Sequence, residues 1–342
     1  MKRMELKAHT GTCEIAIGEK LENVKNYYDT EKVAIITDMN VRKLYGNRFP
    51  KGDIIEIGLG EASKTLETVE MIYNRFTGMR IDRSSFVVGM GGGIVTDVAG
   101  YAASTYLRGI GFGFVPTTLL AQVDAAIGGK NGVNFSGYKN LIGTTRQPKF
   151  SICDPEVLKT LPEREIRCGF AEVIKYAAIS DPGLMLFLEK NAGKALGLDN
   201  ETINHVIEGS IATKVSIVEK DEMDNGERMK LNFGHTVGHA IEKTAGIPHG
   251  EAVAIGMAAA ADVSVAKGML KKEDAERLKN LIRLFGLPVS AKMDVEGCIE
   301  AIDKDKKRSN GKIRMVLLGE IGKAIVKDIE IREIESALRG IW

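Results

Sequence analysis

Between Ser85 and Asp97 the chain reads SFVVGMGGGIVTD, a β-branched apolar run that breaks into a glycine cluster and resumes as a helical pattern. A strand feeding a helix through a glycine turn belongs to sheets flanked by helices, where the chain must leave a buried strand and pack back across it. Lys32–Thr37 (KVAIIT) and Asp53–Ile57 (DIIEI) are further short strand-like runs, and Lys64–Thr77 carries helical periodicity. This alternation predicts a largely parallel sheet. From about Pro155 the pattern changes to long helical segments, clearest at Glu163–Ser180, Asn200–Glu219, Gly234–Ala245, Glu251–Lys267 and Lys272–Leu284. Lys312–Leu318 and Ala324–Ile329 flank a glycine-containing turn and read as a hairpin. The expected fold class is α/β plus α: a Rossmann-like α/β domain over residues 1–150 and a mainly helical domain over 151–342. With no repeat, low-complexity tract or long polar linker, the two halves are expected to pack closely around a cleft.

The 342 residues suffice for two buried cores. Lys and Arg number 47 against 46 Asp and Glu, a net charge of +1 that gives no footing for nucleic acid or an anionic membrane. A local basic cluster can still serve a small anionic substrate. Cys13, Cys153, Cys168 and Cys298 form no CxxC pair, which argues against a disulfide framework or structural zinc and for a reducing cytoplasmic compartment. The N-terminus has no signal-peptide run, and the apolar stretch Ala252–Ala266 contains Asp262 and is too short for a bilayer. It reads as a buried core helix.

The glycines at 89, 91, 92 and 93 would let a backbone approach a pyrophosphate at a helix N-terminus. The segment is not GxGxxG, because Ile94 stands at the last glycine. Gly129-Lys130 is not a P-loop, with Asp124 at the first glycine and Asn131 where Ser or Thr should follow. A tight turn without a ligand accounts for it equally well.

Three of the five histidines fall close together, in NFGHTVGH at 232–239 and at His249. His235 and His239 are four apart and share a helix face, a spacing with which two imidazoles reach one metal. His249 precedes the apolar helix, where a loop can turn it back toward the pair. A catalytic zinc takes three N or O ligands and keeps one position open. Glu172, a lone acid in GFAEVIKYA with Lys175 one turn on, is the best carboxylate candidate. The motif lacks the Glu of HExxH, so a zinc protease is unsupported. His9 and His205 read as ordinary histidines. Between the glycines and the histidines, Lys130, the Lys139-Asn140 pair, Arg108, Lys214, Arg228 and the run at 304–308 could bind phosphate or carboxylate, although most basic side chains are simply solvated.

VVGMGGGIVTDVAGYAASTYLRGI, PTTLLAQVDAAIGGKNGVN, KNLIG, LPEREIRCGFAEVIKYA, LNFGHTVGHAIE, HGEAV and DKK follow one another between about Asp38 and Lys307. Together they resemble the 3-dehydroquinate synthase family. The resemblance implies an NAD-binding α/β domain, a helical metal-binding domain and a homodimer. It makes Glu172, His235 and His249 the ligands of a zinc (or cobalt) ion and moves His239 to the substrate. NAD would be held by Asp38, Glu61, Lys64, Gly91, Gly92, Gly93, Asp97, Thr117, Thr118, Lys139 and Thr160. The substrate would meet Asp124, Lys130, Asn140, Lys175, Lys214, Arg228, Asn232 and His239. Arg108 would come from the other subunit, and one lysine of DKK, Lys307 or its neighbour Lys306, would contribute. Asn131 stands where the family prefers Thr, and Tyr138 where Gly is usual; neither removes a group named here.

The reaction so implied converts 3-deoxy-D-arabino-heptulosonate 7-phosphate to 3-dehydroquinate and phosphate, with NAD consumed and regenerated in each turnover. An NAD-dependent polyol or glycerol phosphate dehydrogenase is the alternative with the same turn and metal domain. Another sugar-phosphate cyclase is a second, and Arg228, Asn232 and DKK, which suit a carboxylated substrate, weigh against it. A non-catalytic binding protein would have no need of Lys130, Asn140, Lys175 and His239 together.

Overall fold

The computed structural model describes residues 1–292, 294–303, 308–309 and 312–341. The chain divides into two compact units: Met1–Leu161 with Lys214–Glu222, and Pro162–Thr213 with Met223–Trp342.

The first unit is built on strands β1 (Lys2–Ala8), β2 (Gly11–Ile17), β3 (Val33–Asp38), β4 (Asp53–Ile57), β5 (Phe86–Gly91), β6 (Gly111–Pro116) and β9 (Phe150–Cys153), with a separate hairpin of β7 (Lys130–Phe135) and β8 (Tyr138–Thr145). The sheet order is β1-β2-β9-β6-β5-β3-β4; every neighbouring pair is parallel except β1 with β2. Side-chain alternation sorts the strands onto two faces. Ala34, Ile36, Val87, Phe112 and Phe114 pack with Val69, Ile72 and Phe76 of helix α2 (Leu66–Gly78) and Val95, Val98 and Ala99 of α3 (Gly93–Thr105). Val33, Ile35, Val88, Met90, Val115 and Ile152 pack on the other face with Leu21, Val24, and Val41 and Tyr45 of α1 (Met39–Tyr45). Covered on both sides, the central strands are continuously apolar, as parallel strands must be.

The last five parallel strands, taken in chain order, lie 2-1-3-4-5, so successive connections leave in opposite directions between β3 and β5. In such sheets ligands bind at the carboxyl ends of the strands beside this reversal. Asp38 closes β3 and Gly91 closes β5. Both flank the switch point.

In the second unit α4 (Glu163–Ser180), α5 (Pro182–Leu196), α6 (Asn200–Lys220, from Lys214 part of the first unit), α7 (His235–Ala245), α8 (His249–Ala266), α9 (Lys272–Leu284), α10 (Val295–Asp303) and α11 (Ile331–Ile341) accompany an antiparallel sheet of β10 (Arg308–Ser309), β11 (Lys312–Glu320) and β12 (Lys323–Glu330). Helix α8 is buried along nearly its whole length and packs against α4, α7, α9, α11 and β11. Its approach to α4 and α7 is backbone to backbone. A Cβ at Gly256 would lie 1.9 Å from the Gly234 carbonyl oxygen, and one at Gly250 would lie 2.4 Å from Cys168 Cα. Only glycine fits there. His249 is the first residue of α8, after Pro248 at the N-cap, and not in the loop where its sequence context suggested. A proline at that place has no intrahelical hydrogen bond to lose, so the helix can begin directly behind it.

Candidate active site

At the carboxyl end of the first unit's sheet, Gly92 is the N-cap of α3 and supplies no side-chain cap. The leading N–H groups of that helix therefore need solvent or a ligand, and its positive dipole end favours an anion. The glycines also have a packing role. A Cβ at Gly91 would meet Val95 Cγ2 at 2.5 Å, and one at Gly93 would meet Ala125 Cβ at 3.1 Å. Thr117 and Thr118 lie against the turn: Thr117 N donates to Gly91 O at 2.9 Å, and Thr118 would touch a Cβ on Gly92 at 3.2 Å. Asp38 caps α1, its Oδ1 accepting from Asn40 N at 2.9 Å and Val41 N at 3.0 Å. The Thr160 and Tyr45 hydroxyls meet at 2.5 Å.

Lys64, 5% exposed, directs its ammonium between the Asp97 carboxylate and Asn140 Oδ1, the latter at 2.6 Å. Burial pushes the Asp97 carboxyl above its ordinary value while the Lys64 charge draws it back. Glu61 stands nearby, its Oε1 accepting from Asn134 Nδ2 at 2.7 Å. Lys214 is paired with the Asp124 carboxylate and also donates to the Asp124 carbonyl at 2.7 Å. Lys130 and Lys139 are exposed on the β7–β8 hairpin. Arg108 is exposed too, on a turn where Leu107 and Arg108 take φ of 49° and 66°.

The second unit holds the acid and the histidines. Glu172 (α4), His235 (first residue of α7) and His249 (first residue of α8) come together, held by the close glycine crossings of those helices. Glu172 is fully buried and forms an ion pair with Lys175, itself 1% exposed. Glu172 Oε1 lies 3.6 Å from His235 Nε2 and 3.7 Å from His249 Nε2. These separations are too long for hydrogen bonds. Two ligands about 2.0–2.2 Å from a tetrahedral ion stand roughly 3.3–3.6 Å apart, so the spacing suits a shared cation.

A group on the far side of each ring orients it. His235 Nδ1 is 3.1 Å from the Phe233 carbonyl, which can only accept, so the proton sits on Nδ1 and the Nε2 lone pair faces Glu172. His249 Nδ1 is 3.3 Å from Glu242 Oε2 and is oriented in the same sense. A carboxylate or carbonyl behind a metal-binding imidazole is the usual support for such a ligand. Burial drives the His235 pKa down to about 3, so the ring stays neutral. Burial acts the same way on His249, but the Glu172 and Glu242 carboxylates prevail and raise it to about 9. His239 is exposed, its ring 5.3 Å from that of His235 and 5.9 Å from that of His249. Arg228 is 3% exposed in the turn Glu227–Asn232, which Asn232 ends. Lys306 and Lys307 lie outside the described residues. Glu242, Asn134 and the Phe233 carbonyl escape the sequence reading. An acid seven residues before His249 is visible, but nothing local ties it to that ring.

The profile of the 3-dehydroquinate synthase N-terminal region matches residues 54–168, and that of the C-terminal region matches 169–308. A 3-dehydroquinate synthase of Prochlorococcus marinus (strain MIT 9312) is 42% identical over 321 residues, covering 90% of this chain and 87% of its own. One from Desulforamulus reducens (strain ATCC BAA-1160 / DSM 100696 / MI-1) is 40% identical over 356 residues, covering 96% and 99%. Among solved structures, 2-deoxy-scyllo-inosose synthase complexed with carbaglucose-6-phosphate, NAD+ and Co2+ aligns over 100% of both chains with a TM-score of 0.90 and 27% identity. The 2-epi-5-epi-valiolone synthase of Streptomyces hygroscopicus subsp. jinggangensis 5008, with NAD+ and Zn2+ bound, aligns over 100% of this chain and 99% of its own, also at 0.90, with 28% identity. A probable glycerol dehydrogenase from Sinorhizobium meliloti 1021 shares the fold alone, with a TM-score of 0.70 at 14% identity over 98% of each chain. The chain belongs to the 3-dehydroquinate synthase family.

Proposed function

We propose that the chain is a carbon–oxygen lyase that converts 3-deoxy-D-arabino-heptulosonate 7-phosphate into 3-dehydroquinate and inorganic phosphate. Family membership at about 40% identity supports this activity over a dehydrogenase, whose match is one of fold only. Other sugar-phosphate cyclases are similar at 27% and 28% identity, well below the 3-dehydroquinate synthases. Within the chain, the observation that carries the reading is the convergence of Glu172, His235 and His249 at cation-sharing distances.

Bound NAD would supply a reversible hydride acceptor, and a divalent cation on Glu172, His235 and His249 a Lewis acid for the developing oxyanion. The chain's own contribution is to bind, orient and hold charge. Lys175 pairs with the buried Glu172, and the Phe233 carbonyl and Glu242 hold both imidazoles with Nε2 turned toward that carboxylate. Gly91, Gly92 and Gly93 leave the start of α3 open to a pyrophosphate, with Asp38, Glu61, Lys64, Asp97, Thr117, Thr118, Lys139 and Thr160 assigned to the rest of the nucleotide. Lys130, Asn140, Lys214 with Asp124, Arg228, Asn232 and His239 are assigned to the sugar phosphate, where orientation and charge neutralisation account for most of the rate. Zinc is the preferred metal, since the donor set of two imidazoles and a carboxylate is its ordinary one. A homodimer, with Arg108 on its exposed turn serving the neighbouring subunit, and a cytoplasmic location complete the proposal. No helix among the described residues is long and apolar enough to cross a membrane, and no disulfide joins the buried cysteines.

Purified protein given the heptulosonate phosphate, NAD and zinc should release phosphate without net NADH, and EDTA should stop the release. NADH accumulating in step with substrate loss would establish a dehydrogenase instead.

A further inference from the structure

In the β7–β8 hairpin Val133 pairs with Ile142 and Phe135 with Tyr138, so Lys139, Asn140 and Leu141 bulge out opposite the single residue Asn134. A bulge breaks the ladder and re-aims the side chains it carries. Here it presents the Lys139-Asn140 pair, with Asn140 in the left-handed region at φ 52°. The N–H of Asn140 has lost its ladder partner and donates instead to Asn134 Oδ1 at 2.9 Å. The other end of the same amide, Nδ2, donates to Glu61 Oε1 at 2.7 Å, and the Asn134 backbone N–H donates to the Lys64 carbonyl at 2.8 Å. The orientation of the amide is forced, because a carboxylate only accepts and an N–H only donates. Lys64 closes the circuit through its ammonium to Asn140 Oδ1 at 2.6 Å. Asn134 thus joins the turn bearing Glu61 and Lys64 to the bulge bearing Lys139 and Asn140.

We infer that Asn134 is a positioning residue that locks the turn bearing Glu61 and Lys64 to the bulge bearing Lys139 and Asn140, so that each holds the other in its binding shape. The inference rests on the roles proposed above for Glu61, Lys64 and Asn140. An outlier backbone such as that of Asn140 persists only where its surroundings over-determine it, and Asn134 supplies one of the side-chain anchors, Lys64 another. The two jobs call for a primary amide: Asp cannot donate to Glu61, and Ser or Thr cannot span both partners.

The test is a charge-exchange cycle read by NAD binding in calorimetry and by KM for the heptulosonate phosphate. Asn134→Asp places two carboxylates together and should weaken NAD and raise KM by about 10-fold each, the size of one lost hydrogen bond to a charged group. In the Glu61→Gln background the polarity is restored in reverse, with the introduced glutamine amide donating to the introduced aspartate. There the same change should cost less than about 2-fold relative to Glu61→Gln alone. Equal losses in both backgrounds would overturn the inference, as would Asn134→Ala with NAD affinity and KM both within about 2-fold of the wild type. A purely structural role predicts lower melting temperatures and no background dependence. Wild-type protein that binds no NAD and releases no phosphate would instead sink the functional proposal, and the lock with it.

Discussion

Glu172 is conspicuous in the sequence because an acid in the middle of GFAEVIKYA has no business in an apolar helix without a partner, and the structure buries it completely against Lys175. Removing it by Glu172→Ala should cost about 3–5 kcal/mol in urea unfolding, since Lys175 stays buried after losing the carboxylate of its ion pair; it should also abolish tight metal binding. A loss below about 1 kcal/mol would mean that water reaches Lys175. The choice among the histidines is less readable. Helical spacing puts His235 and His239 on one face, yet which ring meets Glu172 depends on where α4 and α8 pass, and that is tertiary information. His249 is supported by Glu242, so Glu242→Ala should weaken zinc about 10–100-fold in chelator competition while Glu242→Gln, which can still accept from Nδ1, loses less. The same ring provides a pH signature. Its pKa in the metal-free fold, about 9, is above the ordinary 6.5, so the stability it contributes is full below pH 6.5 and is lost as pH rises through 9. Metal-free protein should therefore melt lower at about pH 9 than at about pH 6.5, while zinc affinity rises over the same interval as the competing proton leaves. A melting temperature flat across that range would contradict the raised value.

At the scale of elements, helices Glu163–Ser180 and Lys272–Leu284 and strand Asp53–Ile57 occupy the residues their periodicity predicts. Strands β7 and β9 are not visible in this way. KNGVNF carries a glycine and two asparagines of low strand propensity, and FSIC is too short for period-two alternation to register. β1 shows almost nothing to read, since Leu6 is its one buried residue at the edge of the sheet. The packing of α7 on α8 makes a sharper prediction than any propensity. Gly256→Ala drives a Cβ into the Gly234 carbonyl oxygen, and the helices must separate. The variant should lose about 1–3 kcal/mol or more and, because α7 and α8 each begin with a histidine of the cluster, should bind zinc more weakly. Gly246→Ala, with no atom within 4 Å but φ at 63°, should cost only backbone strain and leave zinc affinity unchanged. If both variants weaken zinc equally, the crossing does not set the site.

At the scale of the whole molecule, the first unit is not one continuous stretch of chain. Residues Lys214–Glu222 belong to it: Glu222 accepts from Thr10 N at 3.0 Å and from Gln147 Nε2 at 2.8 Å, Glu219 accepts from Lys7 N at 2.9 Å, and Lys214 meets Asp124. Gln147 is buried, and its Nε2 without the Glu222 acceptor would be left unpaired at a cost. A fragment ending at Leu161 should therefore unfold at lower urea than the same fragment mixed with a peptide covering 200–222, and identical curves would show the segment to be dispensable. The discontinuity also imposes a timetable. At about 5–20 residues per second, a ribosome spends roughly 3–12 s between Pro162 and Glu222. During that interval the nascent sheet waits, complete in its strands but lacking its last clasp, so chaperone dependence and sensitivity to translational pausing should concentrate in that window of synthesis.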